Sequence, residues 1–361
     1  MTVMVARMGS THRLHALFSC GLLAAQLLAA ARVGFRLIRS ASGQRVPQSD
    51  VPGTLGEIAI LLPVLNEADR LADCLVSLSR QGPEVGEIIV IDGGSIDGTI
   101  ALATSAAATD DRIRVIQAAC VPDGLNGKAW QLEAGRRAVR SAARWIVTVD
   151  ADVRLQPGCC QSMVAFATES GTPLISLATT QRVSSRTDAI IHPAMLTTLV
   201  YRYGIPGHAT TRPADVQASG QCMLIDRQVL MKQKGFTPVF RSVCEDVTLA
   251  RRFAAAGHRV GFYEGDDLAE TAMYQSARQT LIGWSRSLPM RDQFANASRL
   301  SRLLDVVLVQ ALPLWLGLGR HRLSTPVRTV NRVLLIMRLG VLAGTARAYP
   351  DRPATYWLSP L

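Results

Sequence analysis

The chain has 361 residues, room for one large or two modest domains with a sizeable core. Its formal charge is +11, from 39 Lys and Arg against 28 Asp and Glu, and 48% of its residues are hydrophobic. The basic residues gather beside apolar stretches and none of their runs is interleaved with aromatics, which points to a membrane surface and away from nucleic acid. Seven cysteines, an odd number without a CxxC pair, argue against a disulfide framework or a zinc site and fit a reducing cytosol.

In chain order, Leu14–Ala31 comes first, nearly all apolar and close to the ~20 residues of a spanning helix. Arg32, Arg36 and Arg39 follow it, and positive flanks mark the cytoplasmic side of an anchor. Arg7, His12 and Arg13 on the other side weaken that signal, and an amphipathic anchor lying in the interface stays open. The expected organisation is an anchor over 1–40, a polar linker over 41–57 and a catalytic domain over 58–290 facing the cytosol. A membrane-associated helical region follows over 291–361. The linker reading rests on Pro47, Pro52 and Gly53 in a polar stretch.

From Ile58 strand and helix alternate. Ile58–Leu65 is a continuous apolar run, suited to a strand buried on both faces. Ala68, Leu71, Leu75 and Leu78 then repeat at helical spacing. Further strands are expected at Glu87–Ile91, Arg112–Ala118, Trp145–Val149 and Leu174–Thr180, with helices at Lys128–Ala143, Asp188–Tyr203 and Glu245–Ala256. Val216–Asp226 follows a Gly/Pro/Thr-rich loop. The order predicts an α/β fold: an open, mostly parallel sheet flanked by helices, with ligands outside the carboxyl ends of its strands. Leu303–Leu318 and Val330–Ala346 are further apolar stretches, short or interrupted for spanning.

Acidic motifs fall at those strand ends. Asp92-Gly93-Gly94-Ser95-Ile96-Asp97-Gly98-Thr99 ends one strand in a glycine-punctuated turn, where backbone can approach a ligand closely. Asp150-Ala151-Asp152 puts two carboxylates on one side of a strand end, a hard-oxygen set suited to Mg²⁺ or Mn²⁺ shared with diphosphate oxygens. Lys128 stands at a helix start, where anions bind. Glu245-Asp246 opens a helix; the pair either caps it or supplies a general base. Trp284 and Arg286 could floor a sugar or lipid site.

Taken together, ILLPVLNE (Ile60–Glu67), IDGGSIDGT, VDAD, SGQCMLIDR (Ser219–Arg227) and VCED resemble a family 2 glycosyltransferase of the GT-A fold. The segment from Pro122 through Gly124, Lys128 and Trp130 resembles that of a membrane subgroup holding the hopanoid-associated and carotenoid glycosyltransferases, and so does the tail Arg352–Pro360. The resemblance implies an inverting transfer of one sugar from a nucleotide-sugar donor, expected to be a UDP-sugar, to a lipid acceptor. It implies Asp92 at the nucleobase, Asp150 near ribose and sugar, Asp152 on a divalent metal, and Asp246 as base with Glu245 beside it. Pro63, Asn66, Glu67 and Lys128 join the donor site; Gly220, Gln221, Trp284 and Arg286 are candidates for the acceptor site. Two departures stand out. Gly93 replaces the second acid of the usual DDGS, and Gly283 replaces the Arg of QxxRW, whose loss argues for a single sugar rather than a polymer. A nucleotidyltransferase and a degenerate membrane scaffold are the competing readings.

Overall fold

The computed structural model describes residues 2–41, 43–140, 142–183, 185–272, 276–287, 297–319 and 324–359; for 2–16, 18, 266, 277, 286, 287 and 297–299 it describes the backbone alone. A long helix, α1 (Thr2–Ser40), leads to β1 (Ile58–Val64), α2 (Ala68–Ser79), β2 (Val85–Asp92), α3 (Thr99–Ala107), β3 (Ile113–Gln117), α4 (Gly127–Ala138) and β4 (Trp145–Val149). Next come β5 (Val153–Leu155), α5 (Cys159–Ser170), β6 (Leu174–Ala178), β7 (Thr180–Gln181), α6 (Asp188–Tyr203) and β8 (His208–Thr210). They are followed by β9 (Cys222–Asp226), α7 (Arg227–Lys232), α8 (Glu245–Ala255), β10 (Val260–Glu264), β11 (Ala269–Thr271) and α9 (Ala277–Ser287). The C-terminal part holds α10 (Ala297–Val306), a π-helical turn (Val307–Ala311), α11 (Leu312–Leu318) and α12 (Thr325–Thr345).

Among the described residues the main sheet has strand order β3-β2-β1-β4-β9-β6-β10-β8. The first four strands pair in parallel, as the alternating pattern predicts. β9 runs antiparallel between β4 and β6, and β8 pairs antiparallel with β10 at the edge. β1 is buried along its whole length. Ile58, Ile60, Leu62 and Val64 pack into the core on one face, and Ala59 and Leu61 into the core on the other. That two-sided burial is why the run is continuous rather than alternating. Pro63 fits because β1 pairs with β4 only over Ile58–Leu61, so its missing N–H costs no ladder bond on that side.

Several boundaries are shorter than expected. The helix anticipated over Lys128–Ala143 ends at Ala138, where Val139 turns extended and the Glu87 carboxylate accepts from the Arg140 backbone. Within Val216–Asp226, which follows the Gly/Pro/Thr-rich loop, a strand runs over Cys222–Asp226. The 41–57 segment packs along the domain: Gln44 N donates to Gly207 O, and Ser49 N to Ser162 Oγ.

Among the described residues, three stretches are long and apolar enough to cross a membrane: Ser19–Ser40, Leu300–Leu318 and Thr325–Ala348. The first differs from Leu14–Ala31 because α1 continues through the three arginines. Arg32 and Arg36 are not a free cationic flank; both pair with Asp305, which is fully buried. Arg36 also donates to Tyr201 O, tying α1 to α6. Leu300–Leu318 reaches spanning length because the π-helical turn joins α10 to α11 without a break. Pro313 follows the π-helical turn, at the start of α11.

Asp305→Ala would leave two arginines facing each other with no anion between them. Losing one partner of a buried ion pair typically costs about 3–5 kcal/mol. The expected outcome is a large loss of thermal stability in detergent, partly restored by also replacing Arg36 with Met.

Candidate active site

The loops after β1 and β2 are laced together. Asn66 takes a left-handed backbone, φ 56°, and its Oδ1 accepts from Ile96 N at 2.9 Å. Glu67 N donates to Thr99 Oγ1 and Ala68 N to Asp97 Oδ2. Asp92 is buried at the end of β2, and its carboxylate accepts from Gly94 N and Ser95 N at 2.9 and 3.1 Å. Its visible role is to shape this turn. A Cβ on Gly93 would lie 2.4 Å from Gln131 Nε2. That amide is itself bonded to Val64 O and Ile91 O. The slot of the missing second acid is therefore filled by Gln131 rather than left open.

The other acids converge from three elements. β4 ends at Val149 and delivers Asp150 and Asp152. Asp150 N donates to Gln221 O, which fixes this corner against β9. Lys128 comes from the first turn of α4, and its Nζ lies 2.5 Å from Asp150 Oδ1, 3.3 Å from Glu245 Oε1 and 3.4 Å from Gly220 O. Asp246 Oδ2 accepts from Gly220 N at 2.7 Å, and Oδ1 from Val247 N at 2.7 Å. Asn126 joins the two helix starts: its Oδ1 caps α4 at Ala129 N, and its Nδ2 donates to Glu245 Oε2 and Ser242 O.

Asp152 stands slightly apart. Arg70 lies 3.7 Å from Asp152 Oδ2 and 3.6 Å from Glu67 Oε2. Asp152 Oδ1 is buried and has no hydrogen-bond partner among the described residues. Asn126 and Arg70 escape sequence reasoning, since each is tied to an acid distant in the chain, Asn126 to Glu245 and Arg70 to Asp152. The one available signal was Asn126 at an N-cap position.

Burial and the nearby carboxylates set the electrostatics. Asp246 is pushed up to about 6, by burial first and Glu245 second, against the pull of Lys128. Asp152 is pushed up to about 7, by burial first and then Asp150. Burial works against the charged form of Lys128, but Asp150, Glu245 and Asp246 hold its pKa above the usual lysine value. The ammonium therefore stays charged at neutral pH, and Asp246 is mostly ionised there, poised to take a proton.

These groups open onto a cavity of about 1040 Å³. Lys128, Asp150, Gly220, Gln221, Glu245 and Asp246 line its polar end. Leu37 and Ile38 of α1, Leu196 and Leu199 of α6, and Met337 and Val341 of α12 also line it, with polar groups such as Arg45, Gln217, Glu264 and Arg347 among them. Trp284 also lines it, buried, its ring edge-on to His192 at 5.3 Å. The His192 ring is held by Tyr349 Oη at 2.6 Å. Pro63, Asn66, Glu67, Asp92 and Asp152 are not in this lining. Glu67 and Asp152 form a separate group through Arg70, and Asn66 directly precedes Glu67. The side chain of Arg286 lies outside the described residues.

Gly220 is where the two halves touch. A Cβ there would lie 2.8 Å from Lys128 Nζ and 3.2 Å from Asp246 Oδ2. Gly220→Ala is expected to fold, because the flexible Lys128 can withdraw, but to displace both charged groups. Misplacement of about 1 Å can cost on the order of 10²-fold in rate. Steady-state kinetics beside a melting curve would check it; unchanged turnover would show that the close approach has no role in the reaction.

A mixed α/β sheet with acids gathered at strand ends over a large cleft is a GT-A-like architecture. Residues 59–233, just under half of the chain, match the sequence profile of the family described as Glycosyl transferase family 2. No curated protein matches the chain in sequence. Among solved structures, the mannosyltransferase PcManGT of Pyrobaculum calidifontis, in complex with GDP-Man and Mn²⁺, is similar at 17% identity and a TM-score of 0.51, covering 95% of this chain and 96% of that one. The Mycobacterium tuberculosis glucosyl-3-phosphoglycerate synthase with Mn²⁺ and UDP is 19% identical over 75% of this chain and 83% of that one, TM-score 0.43. TarS of S. aureus is 13% identical over 82% and 50%, TM-score 0.44. The first of these supports the fold; the other two superpose too loosely to bear on function.

Proposed function

We propose that the protein is an inverting glycosyltransferase that moves one sugar from a nucleoside-diphosphate sugar to the hydroxyl of a membrane lipid, with its catalytic domain in the cytosol. The observation that carries this is the cavity: Asp246 and Lys128 stand at one end, and helices long and apolar enough to cross a membrane line the other. A purely aqueous acceptor has no need of such walls.

Asp246 accepts the acceptor's proton as its oxygen attacks the anomeric carbon and the diphosphate departs on the opposite face. Gly220 N and Val247 N fix the orientation of its carboxylate. Glu245, held by Asn126 and Lys128, orients the helix start. Lys128 offers positive charge to the diphosphate. The buried, unpartnered Oδ1 of Asp152 and the adjacent Asp150 fit a Mn²⁺ or Mg²⁺ ion. Among the described residues no group of three or more His, Cys, Asp or Glu is placed to hold a metal, so the ion would share its shell with donor phosphates. When bound, the ion supplies charge neutralisation at the leaving diphosphate. Glu67, Asn66 and Arg70 border that donor end, and Asp92 shapes its floor.

The similarity to PcManGT, solved with GDP-Man and Mn²⁺, supports a nucleotide-sugar donor without choosing the base; the motifs favour a UDP-sugar. The Pro122–Trp130 segment and the Arg352–Pro360 tail favour the hopanoid-associated or carotenoid subgroup, hence an isoprenoid-derived acceptor. The deciding experiment incubates the full chain with UDP-, GDP- and dTDP-sugars and membrane lipid extract. Nucleotide release coupled to a hexose mass increment on a lipid is expected. Release only with a soluble acceptor, or recovery of the intact chain in the soluble fraction, would refute the lipid reading.

A further inference from the structure

We infer that the acceptor enters sideways from the bilayer between α1 and α12, and that Gly340 and Gly344 set the bulk of the apolar body the site admits. The inference rests on the lipid-acceptor reading and names the residues that select the lipid. Ile38 and Ile336 both line the cavity, yet they are 76% and 68% exposed. They mark its mouth on two helices long and apolar enough to cross a membrane. An exposed apolar pair beside an opening of that kind suits hydrocarbon, not water.

Continuing the stripe of Ile336 along the exposed rim, Gly340 and Gly344 are one helical turn apart and so share a face of α12. Both line the cavity. A Cβ added at either would meet no atom within 4 Å. Glycine in an apolar helix usually serves to let a second helix approach. Gly317 of α11 fits that use, since its Cβ would touch Leu335 at 3.4 Å. At 340 and 344 no neighbour takes the space, which opens at the exposed rim of the cavity that Asp246 also lines.

The face is also fixed in position. Arg338 Nη1 donates to Gln310 O at 2.6 Å, which binds α12 to the π-helical turn. Tyr356 Oη donates to Leu342 O at 2.6 Å and pairs with Thr345 Oγ1 at 2.9 Å. Arg182 meets Asp351 at 3.4 Å, and Thr355 Oγ1 donates to Arg186 O, clipping the tail to the catalytic domain. With α12 held on both sides, the side chains at 340 and 344 decide the width. The class of substrate is a membrane lipid alcohol with a bulky apolar body close behind its hydroxyl.

The test replaces Gly340 and Gly344 singly by Leu in the full chain. A Cβ at either position meets nothing within 4 Å, and both changes raise helix propensity. Acceptors are total membrane lipid extract in vesicles and n-octanol; nucleoside diphosphate binding with Mn²⁺ is followed by calorimetry. Since one methylene in an apolar pocket changes discrimination by about 10–200-fold, transfer to the extract lipid should fall at least about tenfold while transfer to n-octanol changes less than about twofold. Nucleotide binding should be unchanged, and Ala at either site should give a smaller loss of the same kind. Full lipid transfer by both Leu variants overturns the inference and leaves the lipid-acceptor reading intact. Parallel loss of octanol transfer and nucleotide binding also overturns it, by showing a general disturbance. Wild-type transfer to soluble acceptors alone removes the underlying reading and this inference with it.

Discussion

Asp246→Asn should bind the donor normally and lose at least about 10²-fold in transfer, the scale of a positioned general base. The amide keeps one oxygen for Gly220 N or Val247 N but cannot hold both bonds, and it cannot take a proton. Losing one of two such bonds costs about 1 kcal/mol, too little to unfold the domain. The drop should appear in kcat and kcat/KM together, as for an interaction made only in the transition state. Glu245→Gln keeps one oxygen for Lys128 or Asn126, so its loss should be smaller. Wild-type turnover in Asp246→Asn with loss in Glu245→Gln would move the base by one residue.

The pH dependence has a definite sign. A base acts when unprotonated, and burial with Glu245 places Asp246 at about 6. Wild-type kcat should therefore fall as pH drops through about 6 and hold above it. Asp246→Asn should lack that acid limb. A limb that survives in the variant would assign it to another group.

Much of this arrangement is legible in the chain, for reasons that can be named. Ile58–Val64 must be buried on both faces, and nothing but a central strand uses seven such residues. Leu71, Leu75 and Leu78 recur at helical spacing and all are buried. Asp150 and Asp152 follow the fourth strand directly, so local order alone puts them at a carboxyl end. What the sequence hides depends on contacts between distant segments. β9 enters antiparallel between β4 and β6, and no periodicity tells one direction from the other. Asp305 reads as a blemish in an apolar stretch until Arg32 and Arg36, more than 260 residues upstream, are seen against it. Gly93 reads as a lost acid until Gln131 is found in its place.

Asp152→Ala should abolish metal-dependent donor binding while leaving the fold intact. Arg70 keeps Glu67 as a partner in the variant, so the substitution strands no buried cation. What is lost is the one buried carboxylate oxygen of the site with no partner among the described residues, the atom most available to a divalent ion. Asp150 does not replace it, because its Oδ1 is already engaged by Lys128 at 2.5 Å. Calorimetry with UDP or GDP and Mn²⁺ should show binding in wild type, none in Asp152→Ala, and none in either with EDTA. The linkage adds a second readout. Burial and Asp150 place Asp152 at about 7, so near neutrality it carries a proton about half the time. A cation must displace that proton, since ligands bind deprotonated. Wild-type binding should therefore weaken as pH falls below about 7 and release protons, seen as heats that change with the buffer's ionisation enthalpy. Donor binding that is undiminished in EDTA and indifferent to buffer would remove the metal from this site and leave the diphosphate to cations such as Lys128 and Arg70.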